Sequence, residues 1–207
     1  MESVKGSLKD IEHSLQDQVE RREKLLKEGR EVIASSSRAI VNIHNGKLAE
    51  AEKEISKARR LLGELKKAGA GSVSRYLISP ETEFVEASVV HSLVRGKKAP
   101  SMAALGASPE AYVLGLLDSV GEMKRLVLDS ILNGNVRKAQ KHFNTMEELY
   151  SLVSPFAVYD HVVNGARRKI DVARMLVEDT RGVLTEETSR ENLVLTMDRL
   201  YGKLGKS

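Results

Sequence analysis

Along residues 2–44 apolar side chains recur at intervals of three and four. Val4, Leu8, Ile11, Leu15, Val19, Leu25, Leu26, Val32, Ile33 and Ile40 mark the stripe, with charged and polar residues between them. That spacing lines one face of an α-helix. No proline interrupts the run and only Gly6 and Gly29 weaken it, so a single long helix is predicted, closed by the turn signal His44-Asn45-Gly46. A second helix is predicted over 47–68, ending in "AGAGS". A third is predicted over 81–95, with Pro80 just before it and Glu81 and Thr82 in its first turn. "GKKAPSMAALGASP", 96–109, reads as a loop, mobile or serving as a lid. Ser108 then caps a fourth helix that has Pro109 at its first position and runs to residue 132. "NGN", 133–135, breaks the chain before a fifth helix that Ser154-Pro155 stops. A sixth is predicted over 157–183 and a last one from 189.

Seven helices, no repeat, no low-complexity segment and no Pro/Gly-rich linker predict an all-α protein with one domain over 1–207. Composition agrees. Hydrophobic residues make up 41%, enough for a sizeable core, while aromatics are 4% and Trp is absent. With no Cys, disulfides, Fe–S clusters, zinc fingers and a cysteine nucleophile are excluded. No apolar run approaches the roughly 20 residues that span a bilayer, and "MESVKGSLKDIEHSLQ" has no apolar signal region. A cytoplasmic protein without a membrane partner is expected. The net charge of +4 and pI near 9.2 permit a nucleic-acid partner without requiring one. The first helix is longer than a compact bundle of this size needs, so part of its stripe is expected to lie between subunits.

Two segments depart from simple amphipathicity. In "ETEFVEASVV", 81–90, Glu83 and Glu86 share a helical face with Val90 and Leu93. In "GLLDSVGEMKR", 115–125, Asp118 and Glu122 are one turn apart, and Gly121 beside them suggests close approach of a helix or ligand. If the two helices face each other, four carboxylates converge. Unpaired, they would repel and resist desolvation. Oxygen donors without His or Cys suit Mg²⁺, Mn²⁺ or Ca²⁺, and such clusters serve phosphodiester cleavage. The same spacing also occurs on solvated helices, where the acids make salt bridges. A di-iron site is disfavoured, since neither pair has the Glu-x-x-His form.

Several motifs, in order, resemble the translin family, in particular its translin-associated factor X branch. "REKLLKEGREVIASSSRAIVNIHN", 22–45, is similar to the family's first helix. "TEFVEA", 82–87, "DSVGEMKR", 118–125, and "SILNGN", 130–135, are similar to motifs that follow, and the terminal "RLYGKLGK" resembles archaeal-type members. The resemblance implies a fold of about seven helices, a closed oligomer, typically of eight subunits, and a Mg²⁺-dependent endoribonuclease acting on single-stranded RNA, with Mn²⁺ as a substitute. It implies that Glu83, Glu86, Asp118 and Glu122 are both the catalytic set and the metal ligands. The chain lacks the extended basic N-terminal tail of eukaryotic factors, so a targeting role carried there does not transfer. The alternative is a non-catalytic translin-like binder of single-stranded RNA or DNA.

Basic residues of the first helix, Arg21, Arg22, Lys24, Lys27 and Arg30, are candidates for phosphate contacts, as are Arg38 and Arg125. Each has a plain structural alternative: Glu20, Glu23 and Glu28 lie among the first five, and Arg125 is placed to pair with Glu122. "RGKK", 95–98, and "ARRK", 166–169, are weaker candidates. The few aromatic residues read mainly as core, which leaves base-specific recognition unsupported. The five His show no metal spacing, and no phosphate loop or nucleophile elbow is present.

Overall fold

The computed structural model describes residues 1–68 and 71–204. Among these residues it contains seven α-helices, two 3-10 segments and no strand. The helices are α1 (Glu2–His44), α2 (Leu48–Ala68), α3 (Ile78–Val94), α4 (Met102–Leu105), α5 (Pro109–Leu132), α6 (Val136–Val153) and α7 (Ala166–Leu204). The 3-10 segments are Gly71–Leu77 and Ser154–Tyr159. The expected end of the second helix at "AGAGS" falls partly outside the described residues. The chain divides into two compact units, Met1–Gly115 and Leu116–Ser207, with the boundary inside α5.

In the first unit the second half of α1 packs on α2 and α3. Leu25, Val32, Ala39, Ile40 and Ile43 of α1 meet a core that includes Ala51, Ile55, Ala58, Leu62 and Leu65 of α2. Full burial of the Leu, Val and Ile side chains among them stabilises by roughly 1.5–3 kcal/mol each. α3 is buried almost all round, with Phe84, Val85, Ala87, Val89 and Val90 at 0% exposure, which explains why its sequence lacks a clean polar face. α3 begins at Ile78 rather than at 81. Pro80 sits in its first turn, where a missing N–H costs nothing, and packs on α1 at Gly29, 3.4 Å from where a Cβ would stand. His91, buried at the other end of α3, lies 3.1 Å through Nε2 from the Leu48 carbonyl.

The segment expected to be a loop or lid is tied down. Within it lies α4, whose N-cap Ser101 accepts a bond from the Ala104 N–H and whose end is turned by Gly106 at φ 62°. Arg59 donates to the Ala104 carbonyl at 3.0 Å, Lys66 donates to the Gly106 carbonyl, and the Tyr112 hydroxyl donates to the Pro100 carbonyl at 3.0 Å.

In the second unit Asn135 caps α6 by accepting from the Lys138 N–H at 2.9 Å. α6 packs against α7, burying Ala139, Phe143, Met146 and Val153 from one and Ala173, Val177 and Leu184 from the other. The expected sixth helix begins nine residues late, at Ala166. Pro155 and the turn at Gly165 (φ 81°) hold the chain out of α geometry, and Asp160 accepts from the Arg167 N–H at 2.9 Å. The expected break between 183 and 189 is absent: α7 runs unbroken. Thr185, Thr188 and Ser189 donate their hydroxyls to carbonyls four residues back, so these cap-prone side chains are absorbed into the helix.

Candidate functional site

Each acidic pair belongs to a different unit. In the first, Glu83 and Glu86 lie one turn apart on α3 and both are half-buried. Two residues before them, Glu81 is buried, with only 4% of its surface exposed. Its carboxylate pairs with Lys66 Nζ at 2.6 Å and accepts from the Ser108 N–H at 2.9 Å and the Ser108 hydroxyl at 2.5 Å. Ser108 in turn lies over the first turn of α5, 3.4 Å from the Ala111 N–H. Glu81 therefore anchors the start of α5 to α3 and α2. Just beyond, Gly115 passes α3 so closely that a Cβ would stand 2.7 Å from Val85 and 2.8 Å from the Thr82 carbonyl oxygen.

In the second unit Asp118 and Glu122 are also half-buried and share one side of α5. Asp118 forms an ion pair with Lys169 of α7. Glu122 lies 3.9 Å from Arg125, and Lys124 lies 3.6 Å from Asp179. Gly121, the expected point of close approach, has Leu176 at 3.9 Å from an added Cβ, an ordinary contact. The tight glycine of α5 is Gly115. Among the described residues no three His, Asp or Glu side chains are gathered as a metal ion requires. The fit to a cation is thus one of donor chemistry: carboxylate oxygens suit Mg²⁺ or Mn²⁺.

The seven expected phosphate-binding side chains separate by what they touch. Arg21 pairs with Asp17, Arg38 with Glu54 at 3.1 Å, and Arg125 with Glu122. Burial raises the Glu54 pKa, but the hydrogen bond and charge of Arg38 and a bond from Ser35 outweigh it and hold the group below the usual value. Lys24, Lys27 and Arg30 are exposed. Arg22 donates through Nε to the Tyr76 hydroxyl at 3.1 Å, and Arg75 donates to the same oxygen at 3.1 Å. In the weaker candidate motifs, Arg95 pairs with Glu52 and Lys169 with Asp118. Of the aromatics, Phe84 and Phe143 are core as expected, whereas Phe156 is exposed and packs tilted against Tyr159 with ring centres 6.0 Å apart.

The model of the Translin family matches residues 70–180, more than half of the chain. The chain belongs to the translin family. The matched span contains both acidic pairs and Lys169, while the basic half of α1 lies ahead of it. An uncharacterised protein of Methanocaldococcus jannaschii is 35% identical over 170 residues, covering 78% of this chain and 73% of that protein. Among solved structures, AfC3PO in complex with duplex RNA superposes with a TM-score of 0.83 at 29% identity, covering 89% of this chain and 97% of that one. Apo-NeC3PO, at 19% identity and a TM-score of 0.75 over 87% of this chain and 96% of that one, shares the fold. The all-α translin architecture expected from the sequence is thus the observed one. Among the described residues no helix is long and apolar enough to cross a membrane.

Sequence reasoning missed Glu81, Arg75 and Tyr76. Glu81 had a faint signal, an acid placed next to proline in the first turn of a largely apolar helix. Nothing local marks Arg75 and Tyr76, because their partner Arg22 lies 54 residues from Tyr76.

Proposed function

We propose that this translin-family protein binds RNA and cleaves single-stranded RNA as an endoribonuclease of the translin-associated factor X type, assembled as a homo-oligomer of eight copies. RNA binding is carried by the likeness to AfC3PO, solved with duplex RNA, which extends over 89% of this chain. Cleavage is supported by the acid pattern Glu83, Glu86, Asp118 and Glu122, which lies entirely within the span matched to the family. These four carboxylates would hold Mg²⁺ or Mn²⁺, which when bound supplies water activation and charge stabilisation at the phosphodiester. Lys169 pairs with Asp118 on α5 and would give it up to the cation. Arg125, one turn beyond Glu122, would meet phosphate. The exposed Lys24, Lys27 and Arg30 would neutralise strand charge without reading sequence.

The test is cleavage of labelled single-stranded and duplex RNA with Mg²⁺, with Mn²⁺ and with EDTA. The expected result is cutting of the single strand that EDTA stops. Glu122→Ala is expected to slow cutting by roughly 100-fold, the scale seen when a group serving the transition-state charge is removed, with RNA affinity changed less than about twofold. A Glu122 variant that is folded, assembled and as active as the parent would falsify the catalytic assignment. A second reading, RNA binding without cleavage, is favoured by two observations: Asp118 stands in an ion pair, and no three acids are gathered among the described residues. Its expected outcome is tight RNA binding with no cutting under either metal.

A further inference from the structure

Arg22 on α1 and Arg75 in the 3-10 segment converge on one side chain. Both donate to the Tyr76 hydroxyl at 3.1 Å, and their guanidinium carbons lie 5.3 Å and 5.0 Å from the centre of the Tyr76 ring. Two positive charges are thereby held beside each other on an uncharged acceptor. Their mutual repulsion is unfavourable, and the ring face and phenol oxygen only partly offset it. An anion seated between the two would relieve it.

Nearby basic groups behave differently. Arg75 lines an open cavity of about 610 Å³, and the other cation on its wall, Lys66, is paired at 2.6 Å with the buried carboxylate of Glu81. Lys66 is thus committed to the fold, whereas Arg75 is held by a phenol at the rim and is exposed. Arg22 is exposed too, and Arg21 beside it pairs with Asp17. The hydrogen bonds from Arg75 and then Arg22 hold the phenol pKa below its usual value.

We infer that Arg22, Arg75 and Tyr76 form a clamp for a backbone phosphodiester of RNA. Tyr76 aligns the two planar donor forks, and the phosphate oxygens accept from the N–H groups that the phenol leaves unused. A guanidinium carries five N–H donors, so bonding to Tyr76 and to phosphate are compatible. Such a clamp fixes the position of a strand and carries no base preference. The inference rests on the RNA-binding reading and is separable from the acidic site, since none of its three residues belongs to that set.

The test is binding of the full chain to a fluorescent single-stranded RNA, followed by anisotropy between about 50 and 300 mM NaCl. Loss of one phosphate contact lowers the salt slope by about 0.7, which at about 0.15 M salt is roughly a fourfold loss of affinity. The double variant Arg22→Gln/Arg75→Gln removes the contact to that one phosphate and is therefore expected to bind roughly fourfold more weakly, with the slope reduced by about 0.7. If that variant does not fold, Arg22→Lys/Arg75→Lys decides. It keeps the charge, so the slope stays, but it loses the fork, so affinity falls several-fold. A folded variant with the parent's affinity and slope overturns the clamp while leaving RNA binding in place. A parent that binds no RNA defeats the broader reading and the clamp with it. Inorganic phosphate, titrated calorimetrically into parent and double variant, separates the sources. If only phosphate binding responds to the substitutions, the ligand is a free ion and the RNA clamp is overturned.

Discussion

Gly115 and Gly121 stand six residues apart on the same helix and are expected to respond with opposite signs to the same substitution. A methyl group at Gly115 would overlap Val85 and the Thr82 carbonyl, both closer than 3.0 Å. Neither can yield without shifting α3, and overpacking of this kind costs roughly 1–3 kcal/mol. At Gly121 the nearest atom is 3.9 Å away, so Ala there is expected to gain up to about 1 kcal/mol from helix propensity. Urea unfolding of Gly115→Ala and Gly121→Ala measures both; equal midpoints would refute the contact at Gly115. Glu81 offers a second test. Removing its carboxylate leaves Lys66 without its ion-pair partner and Ser108 without its acceptor. Glu81→Ala is expected to lower stability by about 1–3 kcal/mol, the range for leaving buried polar partners unmatched, since Lys66 keeps some access to water, and Lys66→Met in that background to recover part of it. At this scale the sequence is a partial guide. The spacing of Glu83 with Glu86 and of Asp118 with Glu122 is local, and periodicity exposes it. Whether a neighbouring acid is buried depends on residues such as Lys66 and Ser108, which no local pattern links to Glu81.

The existence of the long helices was legible because their apolar stripes repeat over many turns; where they begin and end was not. Ile78 rather than residue 81 starts α3 because proline fits a first turn, and α7 passes through Thr185 and Thr188 because their hydroxyls bond back along the helix. Both outcomes are set by single hydrogen bonds or ring geometry rather than by pattern. The expected count of seven helices agrees with the structure through two offsetting differences: α4 was not expected, and the last two expected helices are one. The α6 helix carries a further consequence. His142 is buried, and its Nε2 has no hydrogen-bond partner among the described residues. Burial first, and the charge of Lys138 second, push its pKa below the ordinary value. The unfolded chain therefore takes up the proton first as pH falls through about 6.5. The stability tied to neutral His142 is fully present above that pH and is lost as pH drops toward the folded-state value. His142→Leu is expected to leave stability near pH 7.5 unchanged or raised, and to flatten the decline between about pH 6.5 and 5. A variant whose urea midpoint falls as steeply as the parent's over that range would contradict this.

A single copy of the chain leaves much apolar surface uncovered. On α1, Val4, Leu8, Ile11, Leu15 and Val19 are each more than half exposed, between 52% and 58%. Separately, the end of α7 exposes Leu193, Leu200, Tyr201 and Leu204. The stripe on α1 was evident in the sequence, but periodicity cannot say whether a helix of the same chain or of another copy covers it. Here the second half of α1 is covered by α2 and α3, and the first half has no buried residue. A helix of that length whose apolar stripe stays exposed is marginal in water, and contiguous apolar surface of this kind marks an interaction site. Self-association through the first half of α1 would account for both facts. Leu8→Glu/Leu15→Glu places two charges in the stripe while keeping strong helix formers, so any effect reports on the covered face rather than on propensity. The double variant is expected to give a smaller mass by light scattering and a weaker far-UV helical signal, because residues 2–24 lose the surface that holds them helical. RNA affinity is expected to fall with it, since each copy in an assembly adds its own phosphate contacts to a shared strand. The parent's unfolding midpoint is expected to rise with protein concentration and the variant's to do so less. A double variant with the parent's mass and concentration dependence would show that another surface holds the copies together.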